Sequence, residues 1–299
     1  MNYLKDYTDF LSKTLHLTRP LKVVVDTSNG TTILPAREVF NTPLLTTVFI
    51  NDKIDPDFSA HGPNPAQGNA CYELATKVVA EKADLGIIFD GDGDRAFFVD
   101  ERGKVLSAMA TLYILSAGLK PPFVCDELVY NSLKHSGTIP VEKIIPSRVG
   151  SYYMKAELLK HGASIGAETS GHYYFSDFFG CDSGLFTATT LLSILSKSEK
   201  KLSELYTPLE FYTTAAEKVS FDIQRWNEAE EIIKRYAKIN SYQITSRDGV
   251  TADAGEIWFN VRSSNTEPIL RVTVGGFAVD STHPIFAEIK KELAKIAEK

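Results

Sequence analysis

The run Asp90-Gly91-Asp92-Gly93-Asp94-Arg95 follows the apolar segment Leu85-Gly86-Ile87-Ile88-Phe89 and leads into a second apolar segment, Ala96–Val99. Both flanking segments read as strands, so the acidic run is a loop between them. Three clustered carboxylates repel one another without a cation, which makes a hard divalent metal their natural ligand. The glycines allow a backbone turn tight enough for alternate side chains to converge. Arg95 adds a planar donor fork suited to a phosphate oxygen beside the metal. A plain Asp/Gly surface turn has the same composition. An EF-hand would place a glutamate where Glu101 stands, twelfth from Asp90, but it needs glycine at the sixth position, occupied by Arg95, and flanking helices. The EF-hand is excluded.

Elsewhere, strand-like and helix-like patterns alternate. Leu21–Val25, the turn Asp26–Gly30 and the helical Thr32–Phe40 open a βαβ pattern, and Cys71–Lys82 reads as a second helix. Asp26–Gly30 lacks both a G-x-G-x-x-G pattern and a P-loop lysine, which favours a structural turn. Beyond Ala108–Ala117, a predicted helix, Phe123–Tyr130 and Lys143–Ile145 read as strands, Ser151–Lys160 as a helix ending at Gly162, and Ala163–Ala167 as a short strand. Asp182 or Ser183 is placed to cap the next helix. After residue 208 the pattern changes to strands at Glu217–Phe221, Tyr242–Thr245, Glu256–Val261 and Ile269–Val274, with helices at Trp226–Lys238 and His283–Ala297. The expected fold class is α/β: two tandem mixed-sheet α/β domains, 1–104 and 105–208, then an α+β domain, 209–299, with antiparallel strands.

A chain of 299 residues with 43% hydrophobic and 23% charged residues has the composition of an ordinary globular protein of two or three domains. Net charge is −6 without a dense Lys/Arg stripe, which argues against a nucleic-acid partner. No apolar stretch approaches the ~20 residues that cross a bilayer, and the first seventeen residues, with Asp6 and Asp9, lack a signal-peptide core. Cys71, Cys125 and Cys181 are isolated, so a disulfide framework or zinc site is not expected and a cytoplasmic location is.

Three further segments carry polar groups suited to a ligand. Arg262-Ser263-Ser264-Asn265-Thr266-Glu267-Pro268 supplies a cationic fork, hydroxyls and an amide that would suit a phosphate dianion; a polar hairpin loop has the same composition. Glu168, Ser170 and His172 alternate after a strand, so an extended loop would point all three one way, toward adjacent sugar hydroxyls. A lone histidine there would more simply be a core or capping residue. Arg148, before a helix, is either a ligand contact or a surface cation.

Taken in order, Asp90–Arg95, Gly166–His172 and Arg262–Pro268 resemble the α-D-phosphohexomutase superfamily, in particular its phosphomannomutase/phosphoglucomutase branch, across nearly the whole chain. The resemblance implies Mg2+ held by Asp90, Asp92 and Asp94, and phosphoryl stabilisation by Arg95. It implies sugar contacts by Glu168, Ser170 and His172, and a phosphate grip by Arg262, Ser264, Asn265 and Thr266, with Arg148 assisting. Asn265, where phosphoglucosamine mutases usually have glycine, and the run His172-Tyr173-Tyr174-Phe175 point to mannose or glucose 1- and 6-phosphates as ligands.

Members of that superfamily have four domains, and a serine in the first carries the transferred phosphoryl group. No matching Ser-His-Asn-Pro loop occurs here. His61-Gly62-Pro63-Asn64-Pro65 is similar only superficially, and Ser151 stands where many members have histidine. The chain is thus expected to correspond to domains two to four, metal-binding, sugar-binding and phosphate-binding in turn, and to be inactive alone. A separate chain bearing the phosphoserine domain is an expected partner. A non-catalytic sugar-phosphate-binding protein, a phosphoglucosamine mutase-type enzyme and an independent metal-dependent phosphatase are the alternatives.

Overall fold

The computed structural model describes residues 2–264, 268–277 and 284–297. Its contacts divide the chain into two compact units, Met1–Val124 with Met154–Thr207, and Cys125–Tyr153 with Pro208–Lys299.

In the first unit the strands Leu45–Ile50, Leu21–Asp26, Leu85–Phe89 and Ala96–Asp100 lie in that order in one sheet. The first three are parallel and the last is antiparallel. Leu85–Phe89 is buried along its whole length, as a central strand covered on both faces must be. The helix Cys71–Glu81 covers one face, burying Leu74 and Val78 against Val24, Ile88 and Val99. It ends at Lys82 in the left-handed conformation. The strands Ile165–Ala167, Tyr173–Phe175 and Cys181–Asp182 form an antiparallel ribbon. Ser183 then caps the buried helix Gly184–Ser196 by accepting the N–H of Phe186 (3.2 Å).

Asp26, fully buried at the end of its strand, accepts the N–H of Ser28 (2.8 Å) and the Asn51 amide (2.9 Å) and faces His61 Nε2 at 3.1 Å. The hydrogen bond to Asp26 raises the pKa of His61; burial opposes the rise, while the charges of Asp26 and Glu73 add to it. A raised histidine pKa stabilises the fold fully below the unfolded value of about 6.5 and is lost as pH rises through the folded one. The melting-temperature gap between the parent and His61→Gln should therefore be widest near pH 6 and narrow above neutrality. A gap that is flat or widens with pH would show that the pair contributes nothing of this kind.

In the second unit, Tyr212–Ser220, Ile269–Phe277, Ile257–Ser263, Val250–Asp253 and Gln243–Thr245 form an antiparallel sheet in that order. The helices Trp226–Ile239 and Pro284–Ala297 pack on it through Ile233, Phe286, Ile289 and Leu293 against Phe259 and Val272. One predicted element changes type part-way along. The predicted strand Phe123–Tyr130 stops at Asp126, and Glu127–Ser136 is a helix. Asp126 accepts the Val129 N–H at 2.8 Å, an N-cap that ends the strand despite the apolar residues beyond it. Buried Glu127 is held by Arg247 Nη1 (2.5 Å) and Thr245 Oγ1 (3.1 Å). Two α/β layers followed by an antiparallel C-terminal sheet agree with the expected fold class. Among the described residues no helix is long and apolar enough to cross a membrane.

Candidate metal and sugar-phosphate site

The acidic loop is organised by its first carboxylate. Asp90 Oδ1 accepts the N–H groups of Gly93 (2.9 Å) and Arg95 (3.1 Å), closing the loop on itself, and Oδ2 lies 3.1 Å from Arg95 Nε. Burial pushes the Asp90 pKa up to about 7; the Arg95 N–H bond opposes this, and the charges of Asp94 and Asp92 reinforce it. Asp92 is exposed and Asp94 half-buried.

Neighbouring glycines allow close packing around this loop. A Cβ on Gly30 would meet Gly91 O at 2.3 Å, and one on Gly93, at φ +84°, would meet Thr32 Oγ1 at 2.2 Å. Ser28 Oγ donates to Phe89 O at 2.5 Å. The turn at residues 26–30 thus serves as a structural wall of the acidic loop.

The segment Glu168–His172 meets this loop directly. Arg95 and His172 form an isolated antiparallel bridge, and the Ala96 N–H donates to Gly171 O at 3.0 Å. His172 Nε2 lies 3.3 Å from Asp94 Oδ1. On its other side His172 Nδ1 is 2.7 Å from Ser170 Oγ and 3.3 Å from Glu168 Oε2, and Ser170 Oγ donates to that same oxygen at 3.0 Å. Burial opposes protonation of the imidazole, but Asp94 and Glu168 raise its pKa to about 9. His172 in turn holds Asp94 below the usual carboxylate range, against the effect of burial.

The segment is not the extended loop expected from alternation. It is a tight turn, with Glu168 N–H donating to His172 O and Gly171 N–H to Glu168 O, both at 3.0 Å. Gly171 at φ +90° makes this possible, and a Cβ there would meet the Phe97 ring at 2.5 Å. Glu168, Ser170 and His172 therefore form one hydrogen-bonded cluster.

Two contributors escaped sequence reasoning. Gly184 donates its N–H to Gly93 O at 3.0 Å, and a Cβ there would lie 2.6 Å from Arg95 O and 2.9 Å from Gly93 O. Its only sequence signal is its place after the capping Ser183. Gly184→Val should displace the acidic loop, costing about 1–3 kcal/mol of stability as overpacking does. It should also weaken divalent-metal binding ten- to a hundredfold, as loss of a supporting contact does. Chemical denaturation and a Mn2+ titration check the two effects. Asp182, considered only as a cap, places a carboxylate oxygen within 4.8 Å of ligand atoms on Asp94 and His172.

Ligand oxygens of Asp90, Asp92 and Asp94 lie within 4.8 Å of one another. Asp94 Oδ1 is enclosed, and no donor meets it at hydrogen-bonding geometry. Three converging carboxylates, with charged neighbours of Asp94 Oδ1 at 3.3 Å (His172 Nε2) and 3.7 Å (Arg95 Nε) rather than hydrogen-bond donors, fit a hard cation such as Mg2+.

In the second unit, Arg148 stacks its guanidinium on the Tyr153 ring at 4.6 Å. Arg262 lies near the end of strand Ile257–Ser263, paired with Arg271. Ser264 is buried and donates its N–H to Ile269 O at 2.9 Å, closing the strand pair. Asn265 and Thr266 lie outside the described residues.

Residues 2–103 match the family model for phosphoglucomutase/phosphomannomutase alpha/beta/alpha domain II, and residues 107–212 match that for domain III. The chain belongs to the phosphoglucomutase/phosphomannomutase family. It is 31% identical to a phosphomannomutase of Methanocaldococcus jannaschii over 99% of this chain and 66% of that protein. The crystal structure of a family protein from Burkholderia thailandensis is similar, with a TM-score of 0.80 and 25% identity over 98% of this chain and 64% of that one. The fold is shared at TM-score 0.58 and 15% identity with N-acetylphosphoglucosamine mutase of Aspergillus fumigatus, solved with GlcNAc-6P and magnesium; that match covers 99% of this chain and 68% of the mutase. The chain thus spans about two-thirds of the length of each of these proteins.

Proposed function

We propose that this chain supplies the metal-, sugar- and phosphate-binding parts of a phosphohexomutase that interconverts hexose 1-phosphates and 6-phosphates, mannose or glucose phosphates being preferred, through a bisphosphorylated intermediate. The observation that carries this is the ion pair between Asp94 and His172 (3.3 Å), which joins the acidic loop to the sugar-type cluster as one wall. Mg2+ at Asp90, Asp92 and Asp94 would supply charge neutralisation for the transferring phosphoryl group.

The remaining work falls to side chains. Arg95 offers its guanidinium to phosphoryl oxygens. Glu168, Ser170 and protonated His172 present acceptors and donors to neighbouring sugar hydroxyls, and their mutual hydrogen bonds fix the orientation of each. Arg262, Ser264, Asn265, Thr266 and Arg148 would grip the phosphate not undergoing transfer. Either end of the sugar can then be held while the other reacts. A serine-bearing domain of the family type would carry the phosphoryl group, so turnover by these residues alone is not expected, and the setting is cytoplasmic.

The test is complementation. The chain is mixed with a phosphoserine-bearing first domain from a relative, Mg2+ and glucose 1,6-bisphosphate, and glucose 6-phosphate formation from glucose 1-phosphate is followed. Turnover in the mixture and in neither component alone is expected. Tight phosphosugar binding with no turnover in any mixture would replace this function with that of a binding protein.

A further inference from the structure

The motif His61-Gly62-Pro63-Asn64-Pro65 has no place in the proposed chemistry, yet it touches the acidic loop at two points. Pro63 O accepts the N–H of Gly91 at 3.0 Å, and Asn64 Oδ1 accepts Arg95 Nη1 at 3.3 Å. The fit is close, since a Cβ on Gly91 would meet the Phe58 ring at 2.8 Å and Pro63 Cβ at 3.1 Å.

The segment is also held from behind. His61 Nε2 faces the buried Asp26 at 3.1 Å, and Asn64 Oδ1 accepts the N–H of Ala66 at 3.0 Å, an Asx turn that fixes its carboxamide. Pro63 has its φ locked, and Pro65 keeps Asn64 out of the helical region. Asn64 is therefore a pre-set acceptor. Asn64 thus holds the Arg95 guanidinium by Nη1, while Nε lies 3.1 Å from Asp90 Oδ2 as an ion pair without hydrogen-bonding geometry. Among the described residues no hydrogen bond engages its Nη2.

From this geometry we infer that Asn64 is a positioning residue for Arg95, orienting the guanidinium so that its remaining donors meet a phosphoryl oxygen. The inference rests on the phosphosugar function proposed above and adds a residue from outside the three motifs that define it.

A double-mutant cycle tests it. Affinity for glucose 1,6-bisphosphate is measured by calorimetry, with Mg2+, for the parent, Asn64→Ala, Arg95→Ala and the double variant. Asn64→Ala should lose three- to tenfold with a melting temperature close to the parent's, and the double variant should bind no worse than Arg95→Ala, since coupled residues are non-additive. Full additivity of the two losses, or unchanged affinity in Asn64→Ala, would overturn the inference. A parent that binds no phosphosugar would defeat the functional proposal instead. The Arg95 Nε–H resonance, assigned through Arg95→Lys, then decides the positioning separately. A shifted or broadened signal in Asn64→Ala sustains it, and an unchanged one overturns it.

Discussion

Asp94→Ala should lower divalent-metal affinity by roughly a hundredfold or more, since losing only a supporting partner of a metal ligand already costs ten- to a hundredfold. Asp94 has two roles in the geometry. It contributes one of three converging carboxylates and it is the counter-charge of His172. Its removal leaves Asp90 and Asp92 as the acids of the loop and leaves the imidazole with Glu168 and Ser170. Sugar-phosphate affinity should fall together with metal affinity, because one substitution disturbs both the acidic loop and the Glu168–His172 cluster. Asp92→Ala, at an exposed position without a histidine partner, should reduce metal binding while leaving metal-free phosphosugar binding near the parent's. Mn2+ titrations followed by electron paramagnetic resonance, paired with calorimetry, separate the two cases. Equal behaviour of the two variants would count against a shared role for Asp94.

The largest expected loss of stability follows from Trp258→Ala, at about 3–5 kcal/mol for the second unit. Trp258 is fully buried, donates Nε1–H to Tyr212 Oη at 2.7 Å, and lies so close to Gly275 that a Cβ there would meet its ring at 2.5 Å. Alanine would leave a cavity between strands Tyr212–Ser220, Ile257–Ser263 and Ile269–Phe277. The latter two strands end at Ser263 and begin at Ile269, flanking the proposed phosphate grip. A stability loss here should therefore appear also as weaker binding of the distal phosphate. Urea denaturation monitored by near-ultraviolet circular dichroism measures the first effect. A change below about 1 kcal/mol would mean that neighbouring side chains refill the space.

Much of this architecture was legible in local sequence because local chemistry decides it. Leu85–Phe89 is continuously apolar and lies in the sheet interior, and the Asp/Gly alternation after it closes a loop on Asp90. Ser183 capped its helix as its residue type suggested. The strands Leu45–Ile50 and Val250–Asp253 were missed, since Leu-Thr-Thr and Val-Thr-Ala offer little periodicity and their places are set by pairing to distant strands. The Asp126 cap was hidden inside a run that looks strand-like to either side.

At the site, residue types were legible and geometry was not. Glu168, Ser170 and His172 stood out as polar groups at alternate positions, but their convergence depends on the positive φ of Gly171 over the Phe97 ring. Gly184 has no side chain to display, and the Asn64 amide is one that any polar turn could carry. Their contributions exist only through tertiary contacts with Gly93 and Arg95.

Paramagnetic broadening by Mn2+ probes the metal-centred site most directly. With Mn2+ added to the 15N-labelled protein, the amides of Gly91–Arg95 and the ring signals of His172 should broaden together at the lowest concentrations, and excess Mg2+ should restore them. Broadening confined to surface carboxylates, with the acidic loop and His172 unaffected, would contradict a cation site shared by the two segments.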